Sequence, residues 1–68
     1  MRLWLKKIRL DKGMTLQQLS EVVGVSWQAL AYYERKERTP RPEIAIKIGK
    51  ALGFDWTMFY EEQRERVS

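Results

Sequence analysis

The sequence predicts an all-α domain of five short helices. Apolar side chains recur at helical spacing along the chain, and the pattern is broken at Gly13, Gly24, Pro40 and Gly53, residues that stop or redirect helices. Between the breaks stand hydroxyl residues suited to helix starts. The chain has 68 residues, which predicts one domain over 1–68 and a core that must be packed efficiently to stabilise so short a chain.

The first helix is expected over about residues 2–12, where Leu5 and Ile8 begin an inward stripe and Gly13 suits the left-handed residue that closes it. Thr15 caps the second helix, and Gln18 completes a capping box; Leu16, Leu19 and Val23 share one face, with Gln17, Gln18 and Glu21 outside it. Gly24 stops this helix, Val25 fills the corner, and Ser26 caps the third, which ends near Glu34 or Arg35. A charged loop with two prolines follows, and Pro42 suits the first position of the fourth helix, whose stripe is Ala45, Ile48, Gly49 and Leu52. Gly53 closes it, and Phe54 is expected to fold back on it. Asp55 then caps a fifth helix carrying Trp56, Phe59 and Tyr60, within a C-terminal helix and tail over 55–68.

The third helix has two dissimilar faces. At about 100° per residue, Leu30 and Tyr33 point one way while Gln28, Ala31 and Tyr32 point the other, with Trp27 at the edge near the helix start. Folding alone gives no reason for that outward set.

With no cysteine and no histidine, thiolate or imidazole metal sites, disulfides and Ser-His or Cys-His catalysis are excluded. No cofactor and no enzymatic activity are expected. No apolar run approaches membrane-spanning length, and charge interrupts the opening residues too early for a signal peptide, so a cytoplasmic protein is expected. The net charge of +4 is uneven: residues 1–54 carry 11 basic and 5 acidic side chains (+6), and residues 55–68 carry 2 and 4 (−2). Such polarity favours an anionic partner, nucleic acid first.

Leu5-Lys6-Lys7-Ile8-Arg9, Gly13-Met14-Thr15, Gln17-Gln18-Leu19, Gly24-Val25-Ser26, Leu30, Tyr33-Glu34, Pro40 and Ala51-Leu52-Gly53 together resemble the phage Cro and repressor (XRE-like) type of helix-turn-helix domain, over residues 5–59. The resemblance implies a five-helix, lambda-repressor-like fold and a sequence-specific regulator of double-stranded DNA. It also implies a partly buried ion pair between Arg9 and Glu34. In this geometry the third helix lies in the major groove with its first residues against base edges. Trp27, Gln28, Ala31 and Tyr32 then become base-contacting candidates, and Gln28 has the amide that matches the N6 and N7 edge of adenine. Trp27 suits either a thymine methyl or packing on the second helix; Tyr32 suits a base or a phosphate. Thr15, Gln17, Ser26, Lys36, Arg38, Thr39 and Arg41 are the phosphate-contacting candidates.

Two departures from the family pattern matter. Leu16 replaces a common glutamine, removing one side-chain phosphate contact. Lys36 replaces the glycine after Glu34 and its neighbour, so a left-handed cap there costs about 1 kcal/mol or the loop takes another shape.

Trp4, Leu10, Trp56, Phe59 and Tyr60 look like more apolar surface than a small monomer hides. Trp4, Phe54, Trp56, Phe59 and Tyr60 are accordingly expected to form a homodimer interface, placing two recognition helices on a pseudo-palindromic operator. The leading expectation is a repressor acting by operator occupancy; the alternative is an antitoxin-like or adaptor module that binds a protein partner through the fifth helix.

Overall fold

The first helix, α1, spans Leu3–Asp11, and its N-cap is Arg2. The structure, a computed structural model, describes residues 1–61. The second helix, α2, covers Leu16–Val23, and both halves of its capping box form: Thr15 Oγ1 accepts from the Gln18 amide at 3.1 Å, and Gln18 Oε1 accepts from the Thr15 amide at 2.9 Å. These bonds satisfy two amides that a helix start otherwise leaves unpaired. α3 spans Trp27–Glu34 behind the Ser26 cap, and α4 spans Pro42–Leu52 with proline at its start. Each of these helices begins and ends within a residue or so of where the caps and breakers put it.

The last helix differs from expectation. Among the described residues its helical backbone, α5, covers 58–61, and Trp56 and Thr57 form a tight turn before it. The Asp55 carboxylate does act at this corner, accepting from the Thr57 amide at 3.0 Å and the Thr57 hydroxyl at 2.7 Å. Those two donors hold its carboxyl below the usual carboxylate range. Trp56 stays outside the helix because its Cβ is packed over Gly49: a Cβ on Gly49 would lie 2.7 Å from the Phe54 carbonyl oxygen and 3.3 Å from Trp56 Cβ. Only glycine lets the chain turn back that closely.

α2 packs on both α3 and α4, and α1 packs on α3. Leu5, Leu19, Val23, Leu30, Ala45, Ile48, Leu52 and Phe59 are the buried centre. Beside it lies an aromatic triangle. Trp4, Phe54 and Phe59 meet edge-to-face with centroids 5.3–5.7 Å apart, an arrangement that suits the ring quadrupoles.

This triangle removes Phe59 from the expected dimer interface. Phe59 is 0 % exposed and fills the domain's own core, so it has no surface to offer a second copy. Trp4, Phe54, Trp56 and Tyr60 are half-buried against that core and retain only outer rims. Trp56 meets Tyr60 at 5.9 Å, and the Tyr60 hydroxyl donates to the Pro40 carbonyl at 2.8 Å. What sequence composition presents as apolar excess is largely used inside one chain. The apolar side chains left well exposed on α1 are Leu3 and Leu10.

Candidate nucleic-acid interface

The turn between α2 and α3 depends on Gly24, whose φ of 84° lies in the left-handed region while its amide bonds to the Ser20 carbonyl at 2.8 Å. Two residues on, Ser26 is extended, and its Oγ accepts from the Ala29 amide at 3.1 Å. That cap fixes where α3 begins, and so the direction in which its first side chains leave the protein.

Leu30 is buried and Tyr33 packs on the core, so α3 is anchored by one face. On the other, Trp27 is 43 % exposed and Gln28 is exposed; Ala31 and Tyr32 are half-buried one turn later. Trp27 is thus not a core residue, and both a groove contact and packing on α2 stay open to it. Thr15 and Gln17, at the start of α2, are exposed as well.

Glu34 is buried and meets Arg9 in a two-point ion pair, Nε to Oε2 at 2.6 Å and Nη2 to Oε1 at 3.2 Å. A third nitrogen of Arg9, Nη1, donates to the Met14 carbonyl at 2.7 Å. These contacts tie α1 to the end of α3 and to the approach of α2.

After α3 the chain enters a basic loop. Lys36 has φ 64°, the strained left-handed alternative rather than a reshaped loop, and its amide bonds to the Tyr33 carbonyl at 3.2 Å. Lys36, Arg38, Thr39 and Arg41 are exposed along the loop, and Arg41 is the N-cap of α4. Arg38 lies 4.8 Å and Arg35 5.1 Å from the centre of the Tyr32 ring, which joins the outward face of α3 to the loop through two guanidinium groups. The flanking pair of Arg35 with Glu37, 3.3 Å apart, is half-exposed and contributes little stability.

Arg35 is absent from the residues singled out by sequence. Its spacing three positions beyond Tyr32 on a helix was the available signal. Arg2 is a second such residue, only 2 % exposed. Its guanidinium donates to the carbonyls of Tyr33 and Arg38 and to Thr39 Oγ1, and no local pattern reports contacts across more than thirty positions. Thr39, expected at phosphate, is thus also a scaffold residue: its oxygen accepts from Arg2 at 2.8 Å, which leaves the hydroxyl proton available to donate outward.

A capped helix held by one face behind a tight glycine turn, with a polar outward face and an arginine-rich flank, defines a helix-turn-helix domain. Residues 5–59 match the helix-turn-helix family, and the chain belongs to that family, in its XRE-type branch. A Bacillus subtilis (strain 168) protein described as an uncharacterized HTH-type transcriptional regulator, YqaF, is 40% identical over 62 residues, which cover 91% of this chain and 82% of that relative. No solved structure gives a significant match. Among the described residues, no helix is long and apolar enough to cross a membrane.

Proposed function

We propose that this domain is a transcriptional repressor that reads double-stranded DNA with α3 in the major groove and acts by occupying its operator. The observation that carries the reading is the outward face of α3. Gln28 and Trp27 are exposed immediately behind the Ser26 cap, where a helix entering the groove meets base edges. Gln28 pairs with the adenine edge, Trp27 lies against a thymine methyl or the adjoining sugar, and half-buried Ala31 keeps the helix close to the duplex. Tyr32, flanked by Arg35 and Arg38, sits where the groove meets the backbone.

Phosphates on either side are met by Thr15, Gln17 and Ser26 from the helix starts and by Lys36, Arg38, Thr39 and Arg41 from the loop, which set register without reading sequence. Two domains on half-sites about 34 Å apart give the operator its pseudo-palindromic form. The rims of Trp4, Phe54, Trp56 and Tyr60 are the aromatic surface left for contact between them.

The alternative, a protein-binding module using the fifth helix, has less aromatic surface to draw on, because Phe59 is in the core and Tyr60 is tied to Pro40; Glu62 and Glu65, part of that reading, lie outside the described residues. Selection of duplexes from a random pool, followed by competition binding, tests the proposal. A repressor of this kind prefers its selected site over random duplex by about 10³ or more, and a protein-binding module shows no preference.

A further inference from the structure

We infer that Arg2 is a positioning residue for DNA binding: it holds the α3–α4 loop in its phosphate-facing shape from more than thirty positions away. This rests on the reading of α3 and its loop given above. The argument begins with an energetic problem at the end of α3. The last carbonyls of a helix lack partners within it, and a buried helix end must find donors elsewhere. Arg2 supplies two: its amide donates to the Glu34 carbonyl at 2.7 Å, and its Nη1 donates to the Tyr33 carbonyl beside the Lys36 amide. A cation at this position also suits the negative end of the helix dipole.

The same guanidinium reaches past the helix into the loop. Nη1 donates to the Arg38 carbonyl at 2.9 Å and Nη2 to Thr39 Oγ1 at 2.8 Å, while the group's carbon lies 5.3 Å from the centre of the Phe59 ring. Phe59 is fully buried, so Arg2 is braced on the core on one side and grips the loop on the other. The loop backbone at Arg38 is therefore fixed, and from that backbone the Arg38 side chain crosses the Tyr32 ring. An unheld loop of this kind would have to be ordered at each binding event; a held one presents Arg38 and Thr39 already in place. Arg2 itself is only 2 % exposed, so its effect on binding passes through those two residues.

Lysine at position 2 keeps the charge and loses the planar fork, so it cannot make all three side-chain bonds in this geometry. The test measures binding of Arg2→Lys, Arg2→Ala, Arg38→Ala and the Arg2→Ala/Arg38→Ala pair to the duplex that the wild-type protein selects. Salt is varied, and the temperature is kept where circular dichroism shows each protein folded. Arg2→Lys should bind about tenfold more weakly and show a log-affinity against log-salt slope shallower by about 0.9, the loss of one phosphate contact. Arg38→Ala should weaken the wild type but change little in the Arg2→Ala background, because the two residues act as a unit. If Arg2→Ala is too unstable to study, the same cycle is run on Arg2→Lys. Variants with a lowered Tm but wild-type affinity and slope overturn the positioning role and leave Arg2 a stabiliser of the fold. A wild-type protein that selects no duplex defeats the DNA reading instead, and the role of Arg2 with it.

Discussion

Arg9 and Glu34 join the first and third helices through two parallel nitrogen–oxygen contacts of 2.6 and 3.2 Å, both side chains being over nine-tenths buried. Truncating either partner strands the other charge in the interior, so Arg9→Ala or Glu34→Ala should each cost about 3–5 kcal/mol, a large part of what so small a domain has. Replacing both with apolar residues of similar volume should recover much of that loss. Urea denaturation of the two single variants and the double variant checks both expectations. Since both groups are buried away from the outward face of α3 proposed to meet DNA, folded Arg9 variants should keep the wild-type sequence preference.

Gly49→Ala tests the close return of the chain after α4. Alanine favours a helix over glycine by about 1 kcal/mol, which by itself would stabilise. The added Cβ, however, meets the Phe54 carbonyl at 2.7 Å, backbone that cannot move without disturbing the Trp4–Phe54–Phe59 triangle. Overpacking of that kind costs about 1–3 kcal/mol, so a lower Tm is expected. A raised Tm would mean the turn at 53–57 yields more readily than its contacts imply.

Lys36→Gly should move stability and binding in opposite directions. Relief of the left-handed backbone at φ 64° adds about 1 kcal/mol to stability. If Lys36 meets a phosphate as proposed, loss of the ammonium group should lower the salt slope by about 0.9. Thermal unfolding and salt-dependent binding of one variant read both.

Two groups at the C-terminal corner give the stability a pH dependence at each extreme. The Asp55 carboxyl is held below its ordinary value of 3.8 by the Thr57 amide and hydroxyl, so its contribution is present above that value and lost as pH falls through the lowered one. The Tyr60 phenol is pushed above its ordinary 10.0 by burial, so its contribution is complete below 10.0 and lost as pH rises through the raised value. Asp55→Asn should flatten the acid limb of a stability–pH curve, and Tyr60→Phe the alkaline limb. Tyr60→Phe should also cost about 0.5–1.5 kcal/mol at neutral pH through the lost bond to the Pro40 carbonyl.

Much of the fold is legible in the sequence because its signals are local. Thr15 with Gln18, Ser26, Gly24 and Pro42 each act within a few residues of themselves, and the structure puts each where its chemistry is needed. The Arg9–Glu34 contact is not local, and only the family resemblance pointed to it. Arg2 and the aromatic side chains show why the rest is hidden. A basic residue at a helix start reads as a solvated charge until the end of α3, 31 positions away, is seen to need its donors. Likewise, Trp4 and Phe59 look like surplus apolar area until α5 folds back and brings them to 5.3 Å, which takes Phe59 out of the expected interface between copies and into the core of one. On α3, Gln28 is exposed and Leu30 buried, as periodicity places them, whereas Ala31 and Tyr32, read as outward, are half-buried like Tyr33.

The central claim is that Gln28 reads a base. Its most direct measurement is a base-by-base affinity scan of the selected duplex, run with the wild-type protein and with Gln28→Ala at one salt concentration. The wild type should lose about 1–3 kcal/mol when the base pair facing Gln28 is changed, and Gln28→Ala should bind the intact site that much more weakly while tolerating all four base pairs at that single position. A Gln28→Ala protein whose profile is superimposable on the wild type's at every position would contradict the claim.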